Sequence, residues 1–152
     1  MNILISACLL GIRCRYDGAG KHNVRMAKLM EKHQLIPVCP EIYGGLPTPR
    51  EPSERAGEKV LSREGRDVTA AFRKGAEETL ALAKLFHCRY AILKERSPSC
   101  GYGEIYDGTF SGTFSRGSGV TAELLAKNGI TVLGESQIED FLRLEGGCGM
   151  QQ

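Results

Sequence analysis

Four short apolar runs, separated by segments of helical periodicity, constrain the fold of this chain more than any other feature. They occupy residues 2–6, 35–38, 90–93 and 130–133. Each has the length of a buried strand, and strands that alternate with helices form mainly parallel sheets with right-handed crossovers. The sequence therefore predicts an α/β fold of three layers, Rossmann- or flavodoxin-like, with a mostly parallel sheet of four strands in the order 2-1-3-4.

The segments between these runs predict the remaining elements. Helical spacing and capping signals favour helices at 24–33, 69–86, 120–127 and 136–144. A small hairpin is expected around 59–65, and the Asp107-Gly108 pair predicts the turn of an excursion hairpin over 105–110. Three prolines and two glycines among residues 39–50 exclude regular structure there. We expect a single domain over residues 1–145 and a flexible tail over 146–152.

Composition limits the compartment and the partners. The chain has 152 residues, enough to bury a core without disulfides, and it shows neither an export signal nor an apolar run of about 18 residues or more. We therefore expect a cytoplasmic protein that does not enter a membrane. A net charge of +2 and the absence of tryptophan give no basis for binding a long nucleic acid. In a reducing compartment, the six cysteines are more typical of metal binding or catalysis than of disulfides.

Three of those cysteines follow predicted strands. Cys8, Cys39 and Cys100 lie in loops rich in glycine and proline, after the first, second and third strands. Because ligands collect at the carboxyl ends of parallel strands, the three thiols are expected to form one site. Three protein ligands can hold a metal or cluster and leave one coordination position open for substrate.

Other polar residues fall in the same loops. Glu41, two residues after Cys39, is a candidate to activate water or to protonate a leaving group. Ser97 and Ser99 flank Pro98, so that either hydroxyl could donate to substrate or to cluster sulfur. The candidates for binding the substrate are Arg15, Asp17, Arg50 and Arg96, although Arg15 and Asp17 are equally consistent with a loop-fixing ion pair.

Three segments together resemble a family associated with thiouracil desulfidases, formerly a domain of unknown function. They are Ser6-Ala7-Cys8-Leu9-Leu10-Gly11 with Arg15-Tyr16-Asp17-Gly18, then Pro37-Val38-Cys39-Pro40-Glu41 with Gly45-Leu46-Pro47-Thr48-Pro49-Arg50, and Leu93-Lys94 with Ser97-Pro98-Ser99-Cys100-Gly101. The resemblance implies a [4Fe-4S] cluster on Cys8, Cys39 and Cys100. It also implies a fourth iron free to accept sulfur from a small substrate, a thiolated pyrimidine. The activity it implies is desulfuration without a change of redox state.

The same cysteines are open to three other functional interpretations. Cys14 lies in the loop of Cys8 and could be a fourth ligand, which would make a closed zinc or iron–sulfur module without catalysis. A cysteine-nucleophile hydrolase lacks a histidine in any of the three loops to serve as its base. A phosphatase would need an arginine at position 14, where the chain has cysteine. Cys88 is expected in the core, and Cys148 has no predicted role.

Overall fold

The structure of the protein is a computed structural model that describes residues 1–148. Its strands, β1 to β8 in chain order, are Asn2–Ser6, Gln34–Val38, Ser53–Ala56, Lys59–Ser62, Tyr90–Leu93, Glu104–Tyr106, Phe114–Arg116 and Thr131–Gly134. Its helices, α1 to α5, are Met26–Lys32, Pro40–Tyr43, Thr69–Leu85, Val120–Lys127 and Ile138–Cys148. Short 3₁₀ helices span Ala7–Leu10 and Glu135–Gln137.

The main sheet has four parallel strands in the order β2-β1-β5-β8. This confirms the predicted fold class and strand order. Alternation along β1 divides the core: Ile3 and Ile5 pack with α1 and α5 residues on one face, while Leu4 packs with α3 and α4 residues on the other. Helices therefore cover both faces of the sheet, and the sheet's carboxyl edge is left to the loops.

The loop after β2 differs from the prediction. Residues 40–43 form one helical turn, α2, in a segment where regular structure was not expected. Pro40 stands at the start of this turn, where its fixed φ suits a helix and its missing N–H costs nothing. The turn packs closely on α3, since a Cβ added to Gly75 would overlap the Pro40 carbonyl oxygen. The loop is therefore ordered against a long helix.

Both hairpins are present, but their pairing differs from the prediction. Strand β4 pairs with β3 before it, not with a strand after the turn at Gly65, where there is one isolated bridge from Leu61 to Asp67. The second hairpin joins β6 to β7 through a long loop, residues 107–113, so Asp107-Gly108 opens a loop and is not its whole turn. Phe110, expected in a strand, lies in this loop.

The helix ends show smaller differences. Helix α3 begins at Thr69, whose N–H donates to Asp67 Oδ1 at 3.0 Å. At its other end, helical spacing predicts Leu85 or Phe86 on the buried face, but both are exposed. Helix α5 continues to Cys148, past the predicted end at residue 144. The flexible tail stays a prediction, because residues 149–152 lie outside the described part of the chain. Cys88 is buried, as expected. Among residues 1–148, no helix has the length and apolarity to cross a membrane.

Candidate functional site

A cavity of about 460 Å³ opens where β1, β2 and β5 end. One side, here the strand-end wall, consists of the loops after those strands and includes Cys8, Cys39 and Cys100. The other side, the hairpin wall, consists of residues in the two hairpins or directly beside them: Pro52, Ser53, Glu54, Arg63, Tyr106, Phe110 and Gly112. The structure thus brings the three predicted thiols to one cavity, while their role as ligands stays a prediction.

Local backbone structure fixes each of the three thiols. Cys8 lies in the 3₁₀ helix that continues β1, and Cys39 is the residue that precedes the first turn of α2. Cys100 is held by a tight turn in which its N–H donates to Ser97 Oγ at 2.7 Å. Because each thiol follows a strand by a short ordered segment, its position is set by the sheet.

Burial governs the protonation of two of these thiols. Cys8 and Cys100 are 7% and 6% exposed, and burial raises the pKa of Cys8 to about 11 and that of Cys100 to about 12. Both are therefore neutral at pH 7 when nothing is bound. A coordinating metal deprotonates a thiol outright, so buried neutral thiols around a cavity suit a metal group that supplies the positive charge.

Cys14 also reaches the cavity. Cys39 Sγ lies 3.7 Å from the Cys14 carbonyl oxygen, and the interaction of the two thiols lowers the pKa of Cys39 to about 7 and raises the pKa of Cys14. Its carbonyl oxygen accepts from Arg50 Nη2 at 2.9 Å. The structure thus brings a fourth thiol to the site, and Cys14 as an additional ligand stays an open alternative.

The donor arrangement bears on the kind of metal group. Among the side chains that the structure describes, residues 1–145, no three of His, Cys, Asp or Glu are placed so that they could hold a single metal ion. A zinc ion needs such a set, with each thiolate about 2.3 Å from it. An iron–sulfur cluster is instead a polynuclear body held by thiolates around it, which fits three cysteines that line a cavity.

Glu41 and the two serines form one hydrogen-bond network. Ser99 Oγ donates to Glu41 Oε2 at 2.8 Å, and Ser97 Oγ lies 3.3 Å from Ser99 Oγ. Ser99 Oγ is also 3.7 Å from Cys100 Sγ. All three residues line the cavity. The predicted catalytic groups are therefore side by side, on loops that are 58 residues apart in the chain.

Arg50 orients Glu41. Its Nε donates to Glu41 Oε1 at 3.0 Å, and its other nitrogens donate to Cys14 O, Pro47 O and Thr48 Oγ1. Its side chain is only 7% exposed. These contacts make Arg50 a positioning group in this structure, while its predicted contact with substrate is untested.

Arg15 and Asp17 differ in their relation to the cavity. Arg15 lines it, whereas Asp17 is not among the lining residues. Asp17 Oδ2 lies 3.7 Å from Arg15 Nη2, and Asp17 Oδ1 accepts from the Ala19 N–H at 3.0 Å. The structure therefore favours the loop-fixing ion pair over contact between Asp17 and a ligand.

The cavity is electropositive. Three glutamates line it, against six basic residues: Arg15, Lys21, Arg50, Arg63, Lys94 and Arg96. This excess of basic side chains over acidic ones stabilises thiolates and other anions at the site. Lys94 directly follows β5, and its Nζ is 2.6 Å from Glu135 Oε1, but no sequence pattern predicts a role for it. The hairpin wall was not predicted either, since only the turn residues of the hairpins carry a sequence signal.

The fold and the cavity define an α/β protein with a cysteine-rich site of the kind that holds an iron–sulfur cluster. The chain belongs to the 2-thiouracil desulfurase family, whose model matches residues 3–137.

Two similar proteins agree with this membership. An uncharacterized protein of Bacillus subtilis (strain 168), YbbK, is 45% identical, and the alignment covers 92% of this chain and 99% of that one. Among solved structures, the [4Fe-4S]-dependent thiouracil desulfidase TudS has a TM-score of 0.89 and 46% identity, and the match covers 97% of this chain and 98% of that one. The similarity therefore extends over both walls of the cavity.

Proposed function

We propose that this protein is a [4Fe-4S]-dependent desulfidase that removes sulfur from a thiolated pyrimidine of the thiouracil type. The observation that carries the proposal is the convergence of Cys8, Cys39 and Cys100 on one cavity that also contains Glu41. Family membership and the likeness to TudS support it. The net reaction is hydrolysis: a C–S bond breaks, a C–O bond to water oxygen forms, and sulfide leaves with both protons of that water. No electrons are transferred.

Cys8, Cys39 and Cys100 are the proposed ligands of the cluster. When bound, the cluster supplies a Lewis-acidic iron with an affinity for the soft sulfur of a thiocarbonyl. Two features of the chain suit it: the buried thiols of Cys8 and Cys100, which are neutral without a metal, and a surplus of basic side chains around them. The Ser97 turn and the first residues of α2 keep Cys100 and Cys39 in place before the cluster binds.

Glu41 is the proposed proton-handling group. Its two oxygens are held from opposite sides, by Arg50 Nε and by Ser99 Oγ. A carboxylate fixed in this way can take a proton from the attacking water and deliver it toward the departing sulfide. Ser97 and Ser99 position the substrate, and the hydroxyl chain from Ser97 through Ser99 ends on Glu41.

The desulfidase activity is tested by measuring the sulfide that anaerobically reconstituted protein releases from 2-thiouracil and 4-thiouracil, with no reductant present. We expect sulfide and the corresponding oxo-pyrimidine in equal amounts. Metal-free protein, carried through the same procedure without iron and sulfide, is the matched control, and it should release none. Absence of sulfide from a panel of thiolated bases and nucleosides, with an intact cluster, would reject the proposed substrate class.

We also infer a cytoplasmic location, because the proposed thiolate ligands require a reducing compartment. Fractionation of cells that express a tagged chain tests this, and recovery in an oxidising compartment would contradict it.

A further inference from the structure

The long loop of the second hairpin, residues 107–113, is the most unusual part of the cavity. Phe110 and Gly112 from this loop line it, together with Tyr106 at the end of β6. Phe110 is half-buried, whereas Thr109, Ser111 and Thr113 around it are exposed. One apolar ring of an otherwise polar loop is therefore turned toward the cavity.

The backbone at Phe110 is strained. Its φ is +55°, in the left-handed region that bulky residues rarely adopt. Such a conformation persists only where the surroundings over-determine it, and it is found preferentially at functional sites. Phe110 therefore needs a contact that holds it.

Glu54 supplies that contact. It lies in β3, lines the cavity and is 8% exposed. A single oxygen, Oε1, accepts from the Gly108 N–H at 3.0 Å and from the Phe110 N–H at 3.2 Å. The two hairpins are thus joined by one buried carboxylate.

The rest of the loop is bonded to itself. Asp107 accepts from Thr109 and Thr113, and its N–H donates to Thr113 O at 3.0 Å. Within residues 1–148, the hydrogen bonds that join residues 107–113 to another element all end on Glu54. The Phe110 ring also lies under the Arg63 guanidinium, with 5.8 Å from Cζ to the ring centroid. Glu54 therefore provides the hydrogen bonds that join the loop to the body of the protein, beside the packing of Gly108 on Arg55 and Ala56.

We propose that Phe110 contacts the substrate ring and closes the outer end of the cavity, and that Glu54 is the positioning residue that holds Phe110 there. The proposal rests on the proposed function, since it takes the ligand to be a flat heteroaromatic ring. An aromatic side chain provides a face for such a ring without competing for its polar edge, which is left to the strand-end wall. Phe110 and Glu54 would thus have roles in addition to those of the thiols, Glu41 and the two serines.

The first test is kinetic. Stacking of a base on an aromatic side chain predicts a KM about tenfold higher in Phe110→Ala, with kcat and iron content unchanged. Glu54→Ala should reproduce this rise, because it releases the loop. Glu54→Gln keeps a carbonyl oxygen for the two N–H groups, so its KM should stay near that of the wild type. The double variant Glu54→Ala/Phe110→Ala should show no further rise, because both changes remove one interaction.

The second test does not depend on turnover. The chain has no tryptophan, so Phe110→Trp adds a single fluorescent reporter at the loop. Its emission should change when 2-thiouracil or 4-thiouracil binds. Phe86→Trp is the matched control, since Phe86 is half exposed at the end of α3, where its carbonyl accepts from Asn2. Its emission should not change.

The outcomes separate the two proposals. Sulfide release by wild-type protein, combined with a wild-type KM in Phe110→Ala and unchanged emission from Phe110→Trp, would overturn the role of Phe110 and leave the proposed function intact. If wild-type protein releases no sulfide, the proposed function fails. The emission of Phe110→Trp then decides the contact at this position: a response to the thiolated base supports it, and no response overturns it.

Discussion

The two walls of the cavity are built by different means. In the strand-end wall, Cys8, Cys39 and Cys100 follow strands of one parallel sheet, so backbone topology brings them together. In the hairpin wall, the loop that carries Phe110 is joined to the other hairpin through the Glu54 carboxylate. A site can therefore combine a rigid half, set by the sheet, with a half that depends on a few side-chain contacts. We expect chemistry to reside in the first half and selectivity in the second.

The largest effect expected in the strand-end wall is loss of the cluster. Cys39→Ala removes one of three proposed ligands, so reconstituted protein should lose most of its bound iron and its sulfide release. The measurement is iron and sulfide per chain after anaerobic reconstitution. Cys88→Ala is the matched control, because Cys88 is a free, buried cysteine that does not line the cavity. Full iron content in Cys39→Ala would contradict the proposal that Cys39 is a ligand of the cluster.

Glu41→Gln should leave the strand-end wall and the cluster intact but slow the reaction. General acid–base assistance is typically worth about 10²–10⁴ in rate, so kcat should fall by that order while the iron content stays unchanged. The amide can still contact Ser99 and Arg50, which limits the structural disturbance. Near-normal turnover with a full cluster would move the proton-handling role to another group.

Gly75→Ala tests the rigidity of the strand-end wall through stability. In an open helix, this change is stabilising by about 1 kcal/mol. Here the new Cβ would overlap the Pro40 carbonyl, and overpacking typically costs about 1–3 kcal/mol. We expect a lower free energy of unfolding, measured by urea denaturation. Lys74→Ala, at the exposed neighbouring position, should change it by about 0.5 kcal/mol or less. A stabilised Gly75→Ala protein would mean that the α2–α3 contact is loose.

Ser97→Ala and Ser99→Ala should have smaller kinetic effects than Glu41→Gln. Ser97→Ala removes a neutral hydrogen bond worth about 0.5–1.5 kcal/mol, or a factor of roughly 2–13 in rate. Ser99→Ala removes the hydrogen bond to the Glu41 carboxylate, and a bond to a charged group is worth about 1.5–3 kcal/mol, or a factor of roughly 13–150. Steady-state kinetics at a matched iron content measures this. A loss as large as that of Glu41→Gln would make a serine, and not the carboxylate, the dominant group.

The smallest effect concerns the attachment of the first hairpin. Arg55 in β3 pairs with Glu123 in α4, with 2.7 Å between Nη2 and Oε2, and the hydrogen bond from Arg55 lowers the pKa of Glu123. A lowered folded-state pKa adds stability above the ordinary carboxyl pKa and loses it as the pH falls through the folded-state value. Glu123→Gln should therefore reduce the free energy of unfolding by about 0.2–1 kcal/mol at neutral pH, and by progressively less as the pH falls below about 4.

The control for this pair is Glu78→Gln, an exposed position on α3 without an ion pair in the described residues. It should show no such pH dependence. An equal loss from Glu123→Gln at neutral and acidic pH would point to packing, not charge, as the link between the hairpin and α4.

The difference between the strand-end wall and the hairpin wall also explains which features the sequence could predict. The parallel sheet, its order and the approach of the three thiols followed from four apolar runs and from the geometry of parallel strands. The Asp107-Gly108 pair was misread as a complete turn because the length of a loop depends on contacts far along the chain. Glu54 gave no local signal either, since its partners are 54 and 56 residues away. The contacts of Arg50 with Glu41 and Cys14 were also missed, because they depend on how the loop around Arg50 folds back on the loop of Cys14.

The spacing of the thiols along the chain has a consequence for biogenesis. Cys8 and Cys39 are synthesised early, but Cys100 follows β5, which lies between β1 and β8 in the sheet. The cavity is therefore incomplete until well over half of the polypeptide has been synthesised and β5 has paired with β1. A nascent chain offers two of the three thiols and no enclosed space. For the proposed ligands, we therefore expect a cluster to be delivered only after Cys100 has been synthesised and the three loops have met.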